Sequence, residues 1–156
     1  MPTLTLREYH PETGALLGNV SSMAFGRIQS GTHSRVKVAD IAFSGASSVG
    51  NIKLGVIASS GVTVNSDPLN KDANNTTSNG RLGIEDSAQF SSSKASSPLT
   101  RHFSGVNGTG NSSSENNALI GSKSALISNY IYLDLELGAT DTSAINGAYR
   151  VFFDYS

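Results

Sequence analysis

Ile131-Tyr132-Leu133-Asp134-Leu135-Glu136-Leu137 places a large aliphatic residue at every second position. A period of two is the period of a β-strand, in which successive side chains leave on opposite faces. The spacing predicts a half-buried antiparallel strand with Ile131, Leu133, Leu135 and Leu137 inward and Tyr132, Asp134 and Glu136 outward. The end of the sequence repeats the pattern, with Tyr149, Val151, Phe153 and Tyr155 opposed to Arg150, Phe152 and Asp154. Composition agrees with this reading. Ser, Thr, Asn and Gly supply 66 of the 156 residues, and these types favour turns and strand ends over helix interiors, so long helices are excluded.

Further alternating segments extend the pattern. Leu4 and Leu6 share one face ahead of a turn at His10-Pro11-Glu12-Thr13-Gly14, and Val20 to Ile28 reads as a strand ahead of a turn at Ser30-Gly31-Thr32. Val36 and Val38 alternate in one phase and Ile41 and Phe43 in the other, which predicts a bulge near Ala39-Asp40. Ile52, Leu54 and Val56 form the inward face of the next strand. The link 138–147 is too long for a tight hairpin, so the last two strands either neighbour one another or cross between sheets. The polar surplus concentrates in Asn65 to Gly80, Ser87 to Pro98 and Gly105 to Asn117, which read as exposed loops. Ala118 to Ile127 fits a short capped helix and two extended pieces equally well. About seven to nine short strands in one domain spanning residues 1–156 describe an all-β fold, a single antiparallel β-sandwich of immunoglobulin-like or jelly-roll type, with long polar loops in the middle.

Charge and composition narrow the function. Eleven basic and 12 acidic residues give a net charge of −1, whereas a nucleic-acid site needs a clustered basic surplus. No apolar run approaches the roughly 18 residues of a membrane span, and the N-terminal residues lack a secretion signal. The absence of cysteine removes disulfides, thiol nucleophiles and sulfur-ligated metals.

No catalytic or cofactor motif is expected. His10, His33 and His102 lie beside turn residues, far apart in sequence. Gly45-Ala46-Ser47-Ser48-Val49-Gly50 departs from the spacing of a nucleophile elbow. Asp134 and Glu136 share the polar face of a strand about 7 Å apart, where solvated carboxylates are routine. Asn70, Asp72 and Asn74 open like a calcium loop, but Asn75 and Arg81 stand where that motif needs Gly and Glu. Gly105 to Gly110 lacks the lysine and helix of a phosphate loop. Asn-x-Ser/Thr at Asn19, Asn74, Asn75, Asn107 and Asn111 follows from composition alone. The expectation is a protein that is not an enzyme, with no cofactor and no metal. A surface role remains: Tyr130 and Tyr132, with Tyr149 and Phe152, could line an aromatic strip able to bind carbohydrate.

Val36-Lys-Val-Ala-Asp-Ile-Ala-Phe43, Asn51-Ile-Lys-Leu-Gly-Val-Ile57 and Tyr149-Arg-Val-Phe-Phe-Asp-Tyr155, set among Ser/Thr/Asn/Gly loops, resemble the virion structural proteins of tailed bacteriophages, whose small β-sandwich or jelly-roll modules decorate capsids or build tails. The resemblance implies a capsid decoration or cement subunit, contacting the major capsid protein or other virion proteins and located in the virion after assembly in the host cytoplasm. It also implies a homo-oligomer such as a trimer, without nucleic-acid or membrane contact. Terminal strands pair readily with neighbours, which puts the expected contacts at Leu4, Leu6, Phe152 and Tyr155. A receptor-binding module of a tail or fibre using Tyr130 and Tyr132 is the alternative. A pilin-like or tail-tube-associated subunit ranks third. Val151, Phe153 and Tyr155 are similar to the last strand of chaperone–usher pilins, although the signal and disulfide of that family are missing.

Overall fold

The computed structural model describes residues 1–58, 79–85, 90–97, 101–102, 118–137 and 147–156. They form antiparallel strands in two sheets and one short helix, an all-β sandwich-like fold. The strands are β1 (Thr3–Tyr9), β2 (Leu16–Val20), β3 (Lys37–Ser44), β4 (Val49–Ala58), β5 (Asn79–Glu85), β6 (Arg101–His102), β7 (Ala118–Leu119), β8 (Ser122–Ser124), β9 (Ile127–Ser128), β10 (Tyr130–Glu136) and β11 (Gly147–Tyr155). Helix α1 is Ser92–Ser96, capped by the Ser91 side chain, which accepts from the Lys94 amide.

The larger sheet has eight strands, running β2-β1-β3-β10-β5-β6, with β9 also on β3 and β8 on β9. The smaller sheet is β11-β4-β7. The last two long strands therefore cross between sheets. Their inner faces meet in one core. Ile41, Phe43, Ile131, Leu133 and Leu135 of the large sheet pack with Val49, Ile52 and Leu54 of the small one, and Ile120 joins them. The Phe43 and Phe153 rings sit with centroids 4.7 Å apart across the two layers. Burying each such side chain is worth about 1.5–3 kcal/mol, which explains why the alternation at 131–135 and 149–153 dominates the sequence.

Buried serines repair the backbone ladder where it breaks. Between β9 and β10 the Ser128 hydroxyl accepts from the Ile41 amide at 2.8 Å and donates to the Asn129 carbonyl. Beyond the β3–β10 pairing, which ends at Lys37 and Leu133, the Ser34 hydroxyl accepts from the Leu135 amide at 3.0 Å. Each supplies a partner to an interior N–H that would otherwise be costly to leave unmade.

Three sequence expectations are corrected and one open alternative is settled. The strand expected over Val20 to Ile28 lies earlier, at Leu16–Val20, and Met23, Phe25 and Ile28 cap the core from irregular backbone. There is no bulge at Ala39-Asp40: β3 keeps one register with β1 from Val38 to Ser44. The phase change arises because β3 is buried on both faces, with Ile41 and Phe43 in the main core and Val36 and Val38 in a second cluster with Tyr132 on the opposite side. Ser87 to Pro98 is more than a loop, since α1 buries Ala95 and its carbonyl accepts from the Val36 amide. The segment from Ala118 takes the extended alternative, as β7, β8 and β9. Most of Asn65 to Gly80 and all of Gly105 to Asn117 lie outside the described residues, as do Asn70, Asp72 and Asn74.

Candidate interaction surface

Two surfaces carry the chemistry of the described residues, one sealed and one open. The sealed surface is the outer face of the large sheet. In-register pairing sets Arg7 of β1 opposite Asp40 of β3 and Tyr9 opposite Val38. Asp40 has no exposed surface. Its carboxylate accepts from Arg7 Nε at 2.8 Å, Arg7 Nη2 at 2.7 Å, the Tyr9 hydroxyl at 3.0 Å and Lys123 Nζ at 2.6 Å. Burial alone would raise the Asp40 pKa, but the hydrogen bonds and charges of Arg7 and Lys123 outweigh it and hold the carboxyl below the usual carboxylate range. Burial, reinforced by the Asp40 charge and hydrogen bond, pushes Tyr9 up to about 12.

Aromatic rings close over these charges. The Lys123 ammonium stands 3.2 Å from the Tyr130 ring centroid, a cation–π contact. Tyr9, Phe90 and Tyr130 pack mutually with centroids 5.4–6.2 Å apart. Gly14 makes room for this lid: it takes φ +76°, and a Cβ there would stand 2.5 Å from Phe90 Cδ2. The cluster links β1, β3 and β8 and leaves one net positive charge, satisfied by the Tyr130 ring.

The aromatic strip expected on this face is accordingly not a free platform. Tyr132 is 3% exposed, packed with Val36 and Val38 beneath Tyr9, Phe90 and Tyr130. Tyr130 is half-buried with Lys123 on its ring. Tyr149 packs against the main core, and burial raises its pKa above the ordinary tyrosine range. The solvated pair expected at Asp134 and Glu136 is also corrected, because Asp134 is fully buried; β5 lies alongside and sets Arg81 in register with it. His10 Nδ1 accepts from the Glu12 and Thr13 amides and shapes the first turn, His33 pairs its backbone with Glu136 in an isolated antiparallel β-bridge, and His102 lies on β6. Among the described residues no three His, Asp or Glu side chains gather as a metal site, and no helix is long and apolar enough to cross a membrane.

The open surface follows the strand edges. Leu16, Leu17, Leu119 and Tyr155 are each more than half exposed, and Leu4 is 44% exposed. Leu16 and Leu17 sit on β2, the outermost strand of the large sheet, where Leu17 is the extra residue of a bulge: the register steps from Glu8↔Gly18 to Tyr9↔Leu16. Leu119 and Tyr155 lie on β7 and β11, the two edges of the small sheet. Leu4 is on the part of β1 beyond its pairing with β2, which runs from Leu6 to Tyr9. Leu6 faces inward and packs against the core, so of the four contact residues expected it is the one turned away from solvent. Phe152 is partly exposed on the outer face of the small sheet. Its register partner there is Lys53, whose other neighbour is Leu119, so the three form one row across the sheet.

The adjacent Leu16 and Leu17 passed unnoticed in the sequence, although two successive leucines on one strand cannot both face inward. Arg7, Asp40 and Lys123 carry no local signal, since pairing across 33 and 83 residues brings them together. Set beside models of protein families, curated proteins and solved structures, the chain matches none.

Proposed function

We propose that this protein is a structural assembly subunit, a capsid decoration or cement module of a virus particle that acts by protein–protein contact. One observation carries the reading. Apart from the terminal Met1, the exposed large hydrophobic residues among those described all lie on strand stretches with an unpaired side: Leu4, Leu16, Leu17, Leu119 and Tyr155. An unpaired strand offers backbone donors and acceptors, and adjacent leucines add apolar area, which is the chemistry of strand addition between subunits. The charged groups best placed for acid–base work are instead spent internally, on the Arg7–Asp40–Lys123 cluster.

The test is to add the purified chain to particles assembled without it. Stoichiometric binding at symmetric positions by cryo-electron microscopy, weakened at least tenfold by Leu16→Asp with Leu17→Asp, supports the reading. A folded chain that occupies no position on any particle it is expressed with overturns it.

A further inference from the structure

We infer that β11 is a self-complementary edge, along which two copies of this chain pair antiparallel about a two-fold axis at Phe152 and join their small sheets into one six-stranded sheet. The inference rests on the assembly reading and names one partner within it, a second copy.

Continuity of the strand comes first. β11 runs nine residues and, among the described residues, pairs with β4 alone. The one irregularity in that pairing belongs to β4: between Phe152↔Lys53 and Asp154↔Gly50 two residues of β4, Asn51 and Ile52, oppose the single Phe153. Asn51 absorbs the distortion with φ +50°. β11 therefore presents its second side, unpaired among the described residues, without a bulge, the device that disrupts β2 at Leu17. Its far end is held as well. The Ser156 carbonyl accepts from the Ser47 amide at 2.7 Å, the Ser156 amide donates to the Ser48 carbonyl, and Asn51 Nδ2 donates to Asp154 at 3.2 Å. An edge already ordered loses little conformational freedom on pairing.

The side-chain pattern selects the occupant and the register. Arg150 and Asp154 hold register positions two residues either side of Phe152, in the same strand phase. A two-fold axis perpendicular to the sheet keeps that phase on one face. Placed at Phe152, it sets Arg150 opposite Asp154 of the second copy, twice, and Phe152 opposite itself. An axis at Arg150 or Asp154 puts like charges face to face, and one at Val151 or Phe153 sets a charged residue opposite Phe152. Only the Phe152 axis matches opposite charges on both sides. The same axis doubles the row of Leu119, Lys53 and Phe152 into one strip across six strands. Exposed ion pairs add little affinity, and a single strand pair falls at the small end of specific interfaces, so association is expected at micromolar concentration or weaker, with the charges setting register.

The chain has no cysteine, which allows a clean test. In the proposed register Phe152→Cys brings two Cα atoms to about 4.5–5.5 Å, within disulfide reach. Arg150→Cys puts its two copies about 13 Å apart, four residues along the strand. Under mild oxidation Phe152→Cys should form a covalent dimer at least tenfold faster than Arg150→Cys, with the circular dichroism of both unchanged. A second measurement avoids the aromatic: Arg150→Asp alone and Asp154→Arg alone should each remain monomeric in sedimentation equilibrium, while an equimolar mixture of the two restores the dimer. Equal oxidation rates, or a mixture as monomeric as its components, overturn the inference. A chain that binds particles normally but fails both dimer tests defeats the dyad and leaves the assembly reading standing; one that passes them yet occupies no position on any particle does the reverse.

Discussion

The two sheets treat their outer faces in opposite ways. On the large sheet that face is roofed by Phe90, and the polar groups beneath the roof are matched to one another: Asp40 takes Arg7, Lys123 and Tyr9, and the Tyr130 ring takes the remaining charge. On the small sheet, Phe152, Lys53 and Leu119 form a row with no covering element among the described residues, flanked by two open edges. One face spends its chemistry on internal contacts, and the other is left uncovered among the described residues. Substitutions on the two faces should therefore have opposite signatures, stability lost on one and association lost on the other.

The largest effect is expected at Asp40. Asp40→Asn leaves Arg7 and Lys123 with an uncompensated buried pair of positive charges and should cost about 3 kcal/mol, the lower end for breaking a buried pair because both cations are partly exposed. Urea denaturation with an unchanged slope would show it, and a loss below 1 kcal/mol would mean that the cluster is not sealed. Next is Gly14→Ala. The left-handed backbone costs about 1–2 kcal/mol for an alanine, and the new methyl group displaces Phe90 from its seat. The melting temperature should fall and the near-ultraviolet signal of the aromatic cluster should weaken.

Alkaline pH provides a graded version of the same attack. Tyr9 is neutral in the folded state up to about 12, whereas in the unfolded chain it ionises near its ordinary value of 10. Between these values the unfolded state binds fewer protons, so stability is complete below pH 10 and falls as pH rises towards 12. Absorbance at 295 nm should show Tyr9 and the buried Tyr149 ionising late, together with unfolding; a full tyrosine titration in a still-folded chain would contradict the sealed face. The smallest change in stability is expected on the open sheet, where Leu119→Ser should alter folding by less than about 0.5 kcal/mol, as exposed substitutions do. Its signature should be weaker binding to particles, with self-association in sedimentation equilibrium unchanged.

The same contrast explains what the sequence made legible. Strands β4, β10 and β11 pack one face into the main core, so a period of two read through Ile52 and Leu54, Ile131 to Leu135 and Tyr149 to Phe153 gave their inward faces correctly. The reading failed where a strand is buried twice. Val36 and Val38 against Ile41 and Phe43 read locally as a bulge because nothing nearby announces that Phe90, more than fifty residues later, returns to cover the second face. Asp134 and Tyr132 were misplaced for the same reason, their outward phase being covered. For the candidate surface, the exposure of Tyr155 and Leu4 fits their places near strand ends, whereas the openness of Leu16, Leu17 and Leu119 depends on which strands become edges. That is a property of the pairing order, which local pattern does not encode.

The small sheet also sets a clock. Between the end of β4 at Ala58 and the start of β11 at Gly147 the chain runs 89 positions, so at a synthesis rate of about 5–20 residues per second β4 waits roughly 5–20 seconds on the ribosome for its principal neighbour. Through that interval Ile52 and Leu54 have only half of their sandwich to pack against. The strand that finally shelters them is also the one proposed above to pair with a second copy, so on that reading completion of the core and readiness to assemble arrive with the same stretch of chain.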